Sequence, residues 1–184
     1  MFEKVNFEGW PNCIRLSNKE IELIVTTDVG SRIIHFGFKN GQNLLYVSGE
    51  DKGRTGGSQW RIYGGHRLWH APEAMPRSYF PDNNPVGYSW NGKTLILSQD
   101  PETTTGIVKE MEITLHPDKN HVMVLHRLIN NNLWPIETSP WAITAHAAGG
   151  RAILPQEPYI DPADYLLPAR PVVLWYYTHM GDPR

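Results

Sequence analysis

Apolar and polar residues alternate with a period of two along most of this chain, and Gly, Pro, Asn and Asp separate the alternating runs. Residues 20–27 (EIELIVTT) and 31–38 (SRIIHFGF) are β-branched runs divided by Asp28-Val29-Gly30, and Asn40-Gly41 turns the chain into a further run at 44–47. The pattern predicts a β-meander. Asn91-Gly92 lies between 86–90 and 94–98 and predicts a tight hairpin. Residues 106–115 place Ile107, Met111, Ile113 and Leu115 on one face and Glu110, Glu112 and Thr114 on the other, with Val108 and Lys109 as breaks in the pattern. Residues 121–129 (HVMVLHRLI) return after the turn Pro117-Asp118-Lys119-Asn120, and 140–147 (PWAITAHA) supply another strand with Trp141, Ile143 and Ala145 on one side. Cys13, beside Ile14 and Leu16, reads as a small apolar residue in a strand. The expectation is roughly ten antiparallel strands in an all-β, sandwich-like fold, with no run of helical period.

Composition narrows the partners. The chain has 184 residues, a formal charge of −2 and 20% charged residues, so it carries no basic field for nucleic acid or an anionic membrane surface. One cysteine cannot form an internal disulfide. No apolar run approaches the roughly 18 residues of a spanning helix, and MFEKVNFEGW lacks the core of a signal peptide, so the sequence reads as that of a cytoplasmic protein with no membrane partner. Residues 1–184 are expected to form one domain.

The stretch 60–86, WRIYGGHRLWHAPEAMPRSYFPDNNPV, breaks the strand pattern. It sets Trp60, Tyr63, Trp69, Tyr79 and Phe80 among His66, Arg67, His70, Glu73 and Asp82. Flat apolar rings beside bidentate polar groups suit carbohydrates, whose C–H faces stack on aromatics while their hydroxyls need donors and acceptors. A long ordered loop that packs its own aromatics over a sheet is the alternative reading.

Several segments together resemble the galactose mutarotase-like superfamily, and within it an uncharacterised branch with a GGHRLWxAPE segment followed by YxPDNxP. Here these read GGHRLWHAPE (64–73) and YFPDNNP (79–85). The hairpin 109–128 looks like the family's pair of long strands, and 128–155 is similar to the stretch carrying its N…W…GG…P turn. The resemblance implies a large antiparallel β-supersandwich with a sugar-binding concavity, and an aldose 1-epimerase-like isomerase as the enzyme it could be. Epimerases of the superfamily use a His acid and a Glu base. The strand resembling the His motif reads SPWAITAHAAGG, with Trp141 near that place and His146 displaced along it, and no Glu follows Glu157. Members of this fold are longer, so the resemblance also implies a domain incomplete at its C-terminal end. The aromatic run 172–178 is then expected to leave an edge open to a second chain, which makes a homo-oligomer a candidate state.

Ring opening of an aldose needs a proton donor and an acceptor near neutral pKa, so His66, Glu73 and His146 are the candidate catalytic residues. Arg67, Trp69, Tyr79, Asp82 and Trp141 are the candidate substrate contacts. If 66–70 is extended, Arg67 and Trp69 share one face while His66, Leu68 and His70 share the other. Arg67 bridged to Asp82 as a loop clamp is the competing reading of that pair, and His126, with Val122, Val124 and Leu128 on its face, reads as a core histidine. His66, His70 and Glu73 have a spacing that suggests metal ligands only on a helix, and Gly64-Gly65 and Ala71-Pro72 leave no room for one, so no metal is expected. No phosphate loop or nucleophile motif is evident, and no cofactor is implied. The reading is a carbohydrate-binding protein, as an epimerase or as a non-catalytic binding or sensor module. A structural β-domain associating through its sheet is the remaining alternative.

Overall fold

The computed structural model describes residues 1–151, 153, 155, 157–168, 174, 179 and 181. Ten strands form among them, all paired antiparallel, and the only helical element is a single 3-10 turn at Arg77–Tyr79. The fold is therefore all-β with two antiparallel sheets, as the period-two pattern predicts. The chain divides into two compact units, 1–148 and 149–184. The second carries a turn in which the Asp161 carbonyl accepts from the backbone N–H groups of Asp164 and Tyr165. The expected strand at 172–178 lies outside the described residues, except for Leu174.

In the first unit, β1 (Phe2–Phe7), β2 (Trp10–Ser17), β3 (Ile21–Thr26), β4 (Arg32–Phe38), β5 (His66–Ala71) and β10 (Ser139–Thr144) form a six-stranded sheet in the order β1-β2-β3-β4-β5-β10. The second sheet is a meander, β6 (Gly87–Trp90), β7 (Thr94–Ser98), β8 (Ile107–Leu115) and β9 (Val122–Asn130), in chain order. Three predictions differ in detail. The run at 44–47 is held by isolated bridges, Leu45 to His146 and Val47 to Gly64, and does not form a strand of its own. β1 was not signalled, because its exposed polar face and half-buried Phe2, Val5 and Phe7 make a weak alternation at a sheet edge. β5 lies inside the stretch that reads as irregular; its HRLWHA sequence is buried on both faces, so no polar face marks it.

The two sheets meet through one apolar cluster drawn from both. Ile14, Leu16, Leu23, Val25 and Ile33 of the larger sheet pack with Leu95, Leu97, Met111 and Ile113 of the smaller, together with Leu45. Each such side chain, taken fully out of water, contributes about 1.5–3 kcal/mol. The opposite face of the larger sheet is covered as well. Trp10, Cys13, Ile24, Val29 and Ile34 pack there with Tyr63 from the long segment between β4 and β5. That segment is sewn down by polar bonds: the Trp10 indole donates to the Arg54 carbonyl at 3.0 Å, and Asn83 accepts from the Tyr63 hydroxyl at 2.9 Å while donating to the carbonyls of Gly57 and Gln59.

Gly64 and Gly65 thread this segment into β5. Both have positive φ, +97° and +72°, and a Cβ on either would fall 2.1 Å from the Tyr46 carbonyl oxygen or 2.2 Å from that of Ile33. Only glycine lets the chain pass that close to β4 before turning into β5.

Met111 is fully buried where the sheets meet, whereas Met123 on β9 is 58% exposed. Met111→Ala is expected to cost about 2–5 kcal/mol in urea unfolding, and Met123→Ala no more than about 0.5 kcal/mol.

Candidate functional site

The pleat of β5 divides the predicted site residues between two faces of one sheet. Arg67 and Trp69 point to the covered outer face, and His66, Leu68 and His70 point toward the smaller sheet. β10 is in register beside β5, with Trp141 opposite Trp69, Ile143 opposite Arg67 and Thr144 opposite His66, so its side chains follow the same division.

On the outer face four aromatic rings meet. Trp69 makes edge-to-face contacts with Trp60 at 6.3 Å, Tyr79 at 5.1 Å and Trp141 at 5.6 Å between ring centroids, and Trp60 meets Tyr79 at 5.4 Å. Trp69 is the buried centre of this cluster, while Trp60, Tyr79 and Trp141 are half-exposed. The Arg67 guanidinium sits 4.3 Å from the centroid of Trp69 and 5.2 Å from that of Trp60. A cation in contact with two indole faces is held by their quadrupoles. Burial, and secondarily the positive charge of Arg32, pulls the Arg67 pKa down to about 10, which leaves it a cation at neutral pH.

Asp82 does not bridge to Arg67. Its carboxylate accepts from Lys109 Nζ at 2.8 Å and from Gln99, so the clamp reading of the Arg67–Asp82 pair is replaced by an Asp82–Lys109 bond. Lys109 is likewise no break in the β8 alternation. It points inward in step with Ile107, Met111 and Ile113, and its ammonium reaches Asp82 and, at 2.9 Å, Glu102. Glu102 also accepts from the Thr105 hydroxyl at 2.6 Å and pairs with His70 Nε2 at 3.1 Å. Arg77 donates to His70 Nδ1 at 2.7 Å, so Nδ1 is the acceptor nitrogen and Nε2 carries the proton given to Glu102. Burial acts to raise the Glu102 pKa, but the bonds from His70, Lys109 and Thr105 prevail and bring it down to about 2.

On the inner face His66 Nε2 lies 2.8 Å from His126 Nε2, and His66 Nδ1 lies 2.7 Å from the Thr144 hydroxyl. One hydrogen is shared between the two imidazoles. Burial, and then His126, pull the His66 pKa down to about 4, and burial lowers His126 as well. His126 is therefore not a core residue; it is half-buried and bonded to His66, which lines a cleft of about 350 Å³. His66, His121, Thr144 and His146 line that cleft together with apolar side chains such as Leu45 and Val124.

The structure thus brings His66 and His146 into one cleft, and Arg67, Trp69, Tyr79 and Trp141 into one cluster on the other side of the sheet. Glu73 does not line the cleft and meets the cluster only through the Tyr79 hydroxyl. It lies beyond the far end of β5, about 17 Å of strand from His66, is exposed, and accepts the hydroxyl hydrogen of Tyr79. Among the described residues no group of three or more His, Cys, Asp or Glu could hold a metal ion, and no helix is long and apolar enough to cross a membrane. Sequence reasoning missed Trp60 as a member of the cluster, and also Arg32, Glu102 and Lys109. For Lys109 a signal existed, since it falls on the inward parity of β8; Glu102 lies in a connection where no periodicity applies.

Two pH windows follow. Glu102 has its folded pKa near 2, below the ordinary carboxylate value, so its stabilisation is full above about pH 4.5 and is lost as pH falls toward 2. His66, held neutral down to about pH 4, stabilises fully above about pH 6.5 and loses that contribution as pH falls toward 4. Urea unfolding across this range is expected to show both declines, with His66→Gln flattening the upper one and Glu102→Gln the lower.

In comparisons with protein families, curated proteins and solved structures, the chain matches no family, no curated protein and no solved structure.

Proposed function

We propose that the protein binds a carbohydrate on the outer face of β5 and β10, as a β-supersandwich protein of galactose mutarotase-like type. The observation that carries this reading is the cluster of Trp60, Tyr79 and Trp141, three half-exposed rings set around the buried pair Trp69 and Arg67. Exposed ring surface offers stacking area to the C–H face of a sugar. Because the rings brace one another edge to face, they hold that surface before a ligand arrives, and less ordering entropy is lost on binding. Trp69 supports the platform from within, so a mutation there would act through folding; the rings that a sugar would touch are Trp60, Tyr79 and Trp141.

Titration calorimetry with a panel of mono- and oligosaccharides tests the reading. For a sugar that the parent binds, Trp141→Ala is expected to lose about 1–3 kcal/mol of affinity. Trp134→Ala, which removes an exposed indole outside the cluster, is expected to change nothing. Equal effects of the two variants, or none from Trp141→Ala, would reject the platform.

A second reading, an aldose epimerase, is favoured by the His66–His126 contact. Two imidazoles that share one hydrogen and are both held neutral at pH 7 can accept a proton beside the cleft that His146 also lines, which is the role of the base in ring opening. Optical rotation of fresh α-galactose or α-glucose measures this directly. The epimerase reading expects mutarotation faster than in buffer and a fall of at least about tenfold in His66→Gln; rates equal to buffer across an aldose panel would leave the binding module.

A further inference from the structure

Two guanidiniums are buried side by side on the outer face. Arg32 of β4 stands directly opposite Arg67 of β5 in the strand register, and they are 1% and 8% exposed. Like charges facing each other across a strand pair are destabilising, and burial out of water makes the repulsion larger. Arg32 is partly satisfied by neutral groups: its Nη1 donates to the Gly64 carbonyl at 2.7 Å and to that of Ile62 at 3.2 Å, and its guanidinium lies 5.2 Å from the Tyr63 ring centroid.

Arg67 has less. It forms no ion pair among the described residues, and its Nη1 is buried without an acceptor. The indole N–H groups of Trp60 and Trp69, the two rings in contact with that guanidinium, are also buried donors with no acceptor among the described residues. The nearby carboxylates do not make up the difference. Asp82 and Glu102 both bind Lys109, and Glu73 accepts from the Tyr79 hydroxyl, so none of the three is bonded to Arg67. The groups packed against the Arg67 guanidinium are thus indole rings with buried donors, and among the described residues no acceptor carrying negative charge is bonded to it. Buried donors left in this state mark a place where an ion, a water or a ligand belongs.

We infer that the Arg67 cluster is the acid-recognising subsite of the carbohydrate platform, and that its ligand is a uronic-acid-type saccharide whose carboxylate accepts from Arg67 and the two indoles. This rests on the carbohydrate reading above. A planar carboxylate matches the guanidinium fork with two parallel bonds, and its charge is opposite to that of Arg67. The sugar ring attached to it would then extend over the half-exposed faces of Trp60, Tyr79 and Trp141.

Calorimetric titration of the full chain at low ionic strength and pH 7.5 tests the inference, with galacturonate and glucuronate as probes against galactose, glucose and galactose 6-phosphate. The uronates are expected to bind about tenfold more tightly than the neutral sugars, the gain of a charge-assisted bond to Arg67. The phosphate ester is expected to bind more weakly than galacturonate. Arg67→Gln should abolish the preference, bringing the affinity for galacturonate down to that for galactose in the same variant. If Arg67→Gln does not fold, Trp60→Phe keeps a ring and removes one N–H, and is expected to cut the ratio of galacturonate to galactose affinity about threefold. Equal affinity for galacturonate and galactose, a preference that survives these substitutions, or tighter binding of the phosphate ester overturns the acidic subsite and leaves the carbohydrate reading intact. Failure of every sugar to bind overturns both.

Discussion

Burial of the six-stranded sheet on both faces is the constraint from which the rest follows. The smaller sheet covers one face through the Ile14-to-Ile113 cluster, and the segment between β4 and β5 covers the other through Tyr63 and its neighbours. β5 runs between β4 and β10 in this sheet, so every side chain of HRLWHA enters a buried or half-buried setting whichever way it points. Three of those six residues are His or Arg. A cation or imidazole taken from water loses hydration worth several kcal/mol unless a partner replaces it.

Each of the three finds a different answer. His70 sits between Arg77 and Glu102, in a network that also holds Lys109 and Asp82. His66 is held neutral against His126 and Thr144. Arg67 has only the faces of two indoles, which attract a cation yet offer no hydrogen-bond acceptor. The polar residues of one short strand therefore include one closed structural network, one proton-sharing pair at a cleft and one incompletely satisfied cation at an aromatic surface. Chemistry is expected where satisfaction is incomplete, which is why the cluster around Arg67 and the cleft beside His66 carry the functional proposals and the His70 network does not.

Much of the fold was legible in the chain. The hairpin at Asn91-Gly92, β8 and β9 follow from alternation and turn residues, because each has one face against the core and one more open to water, and the β3–β4 pair, buried on both faces, follows from two β-branched runs divided by Asp28-Val29-Gly30. The same signal failed for β5, where both faces are covered, and for β1, whose edge position leaves it weakly patterned. Lys109 looked like an interruption because a lysine is seldom inward; its parity was correct and its charge is met by Asp82 and Glu102, neither of which lies on a strand.

By itself the sequence determined the all-β class, most strand positions, and the division of Arg67 and Trp69 from His66 and His70. These depend on local stereochemistry: the two-residue pleat and the turn preferences. Tertiary structure alone decided which groups meet. His66 with His126, Asp82 with Lys109, Trp69 with Trp60 and Trp141, and the facing of Arg32 and Arg67 are contacts between residues 26 or more apart in the chain, except Trp60 with Trp69. No periodicity encodes such partners. They are set by strand order and by the long covering segment, and those arise from burying apolar surface over the whole first unit, a cooperative quantity that no local pattern contains.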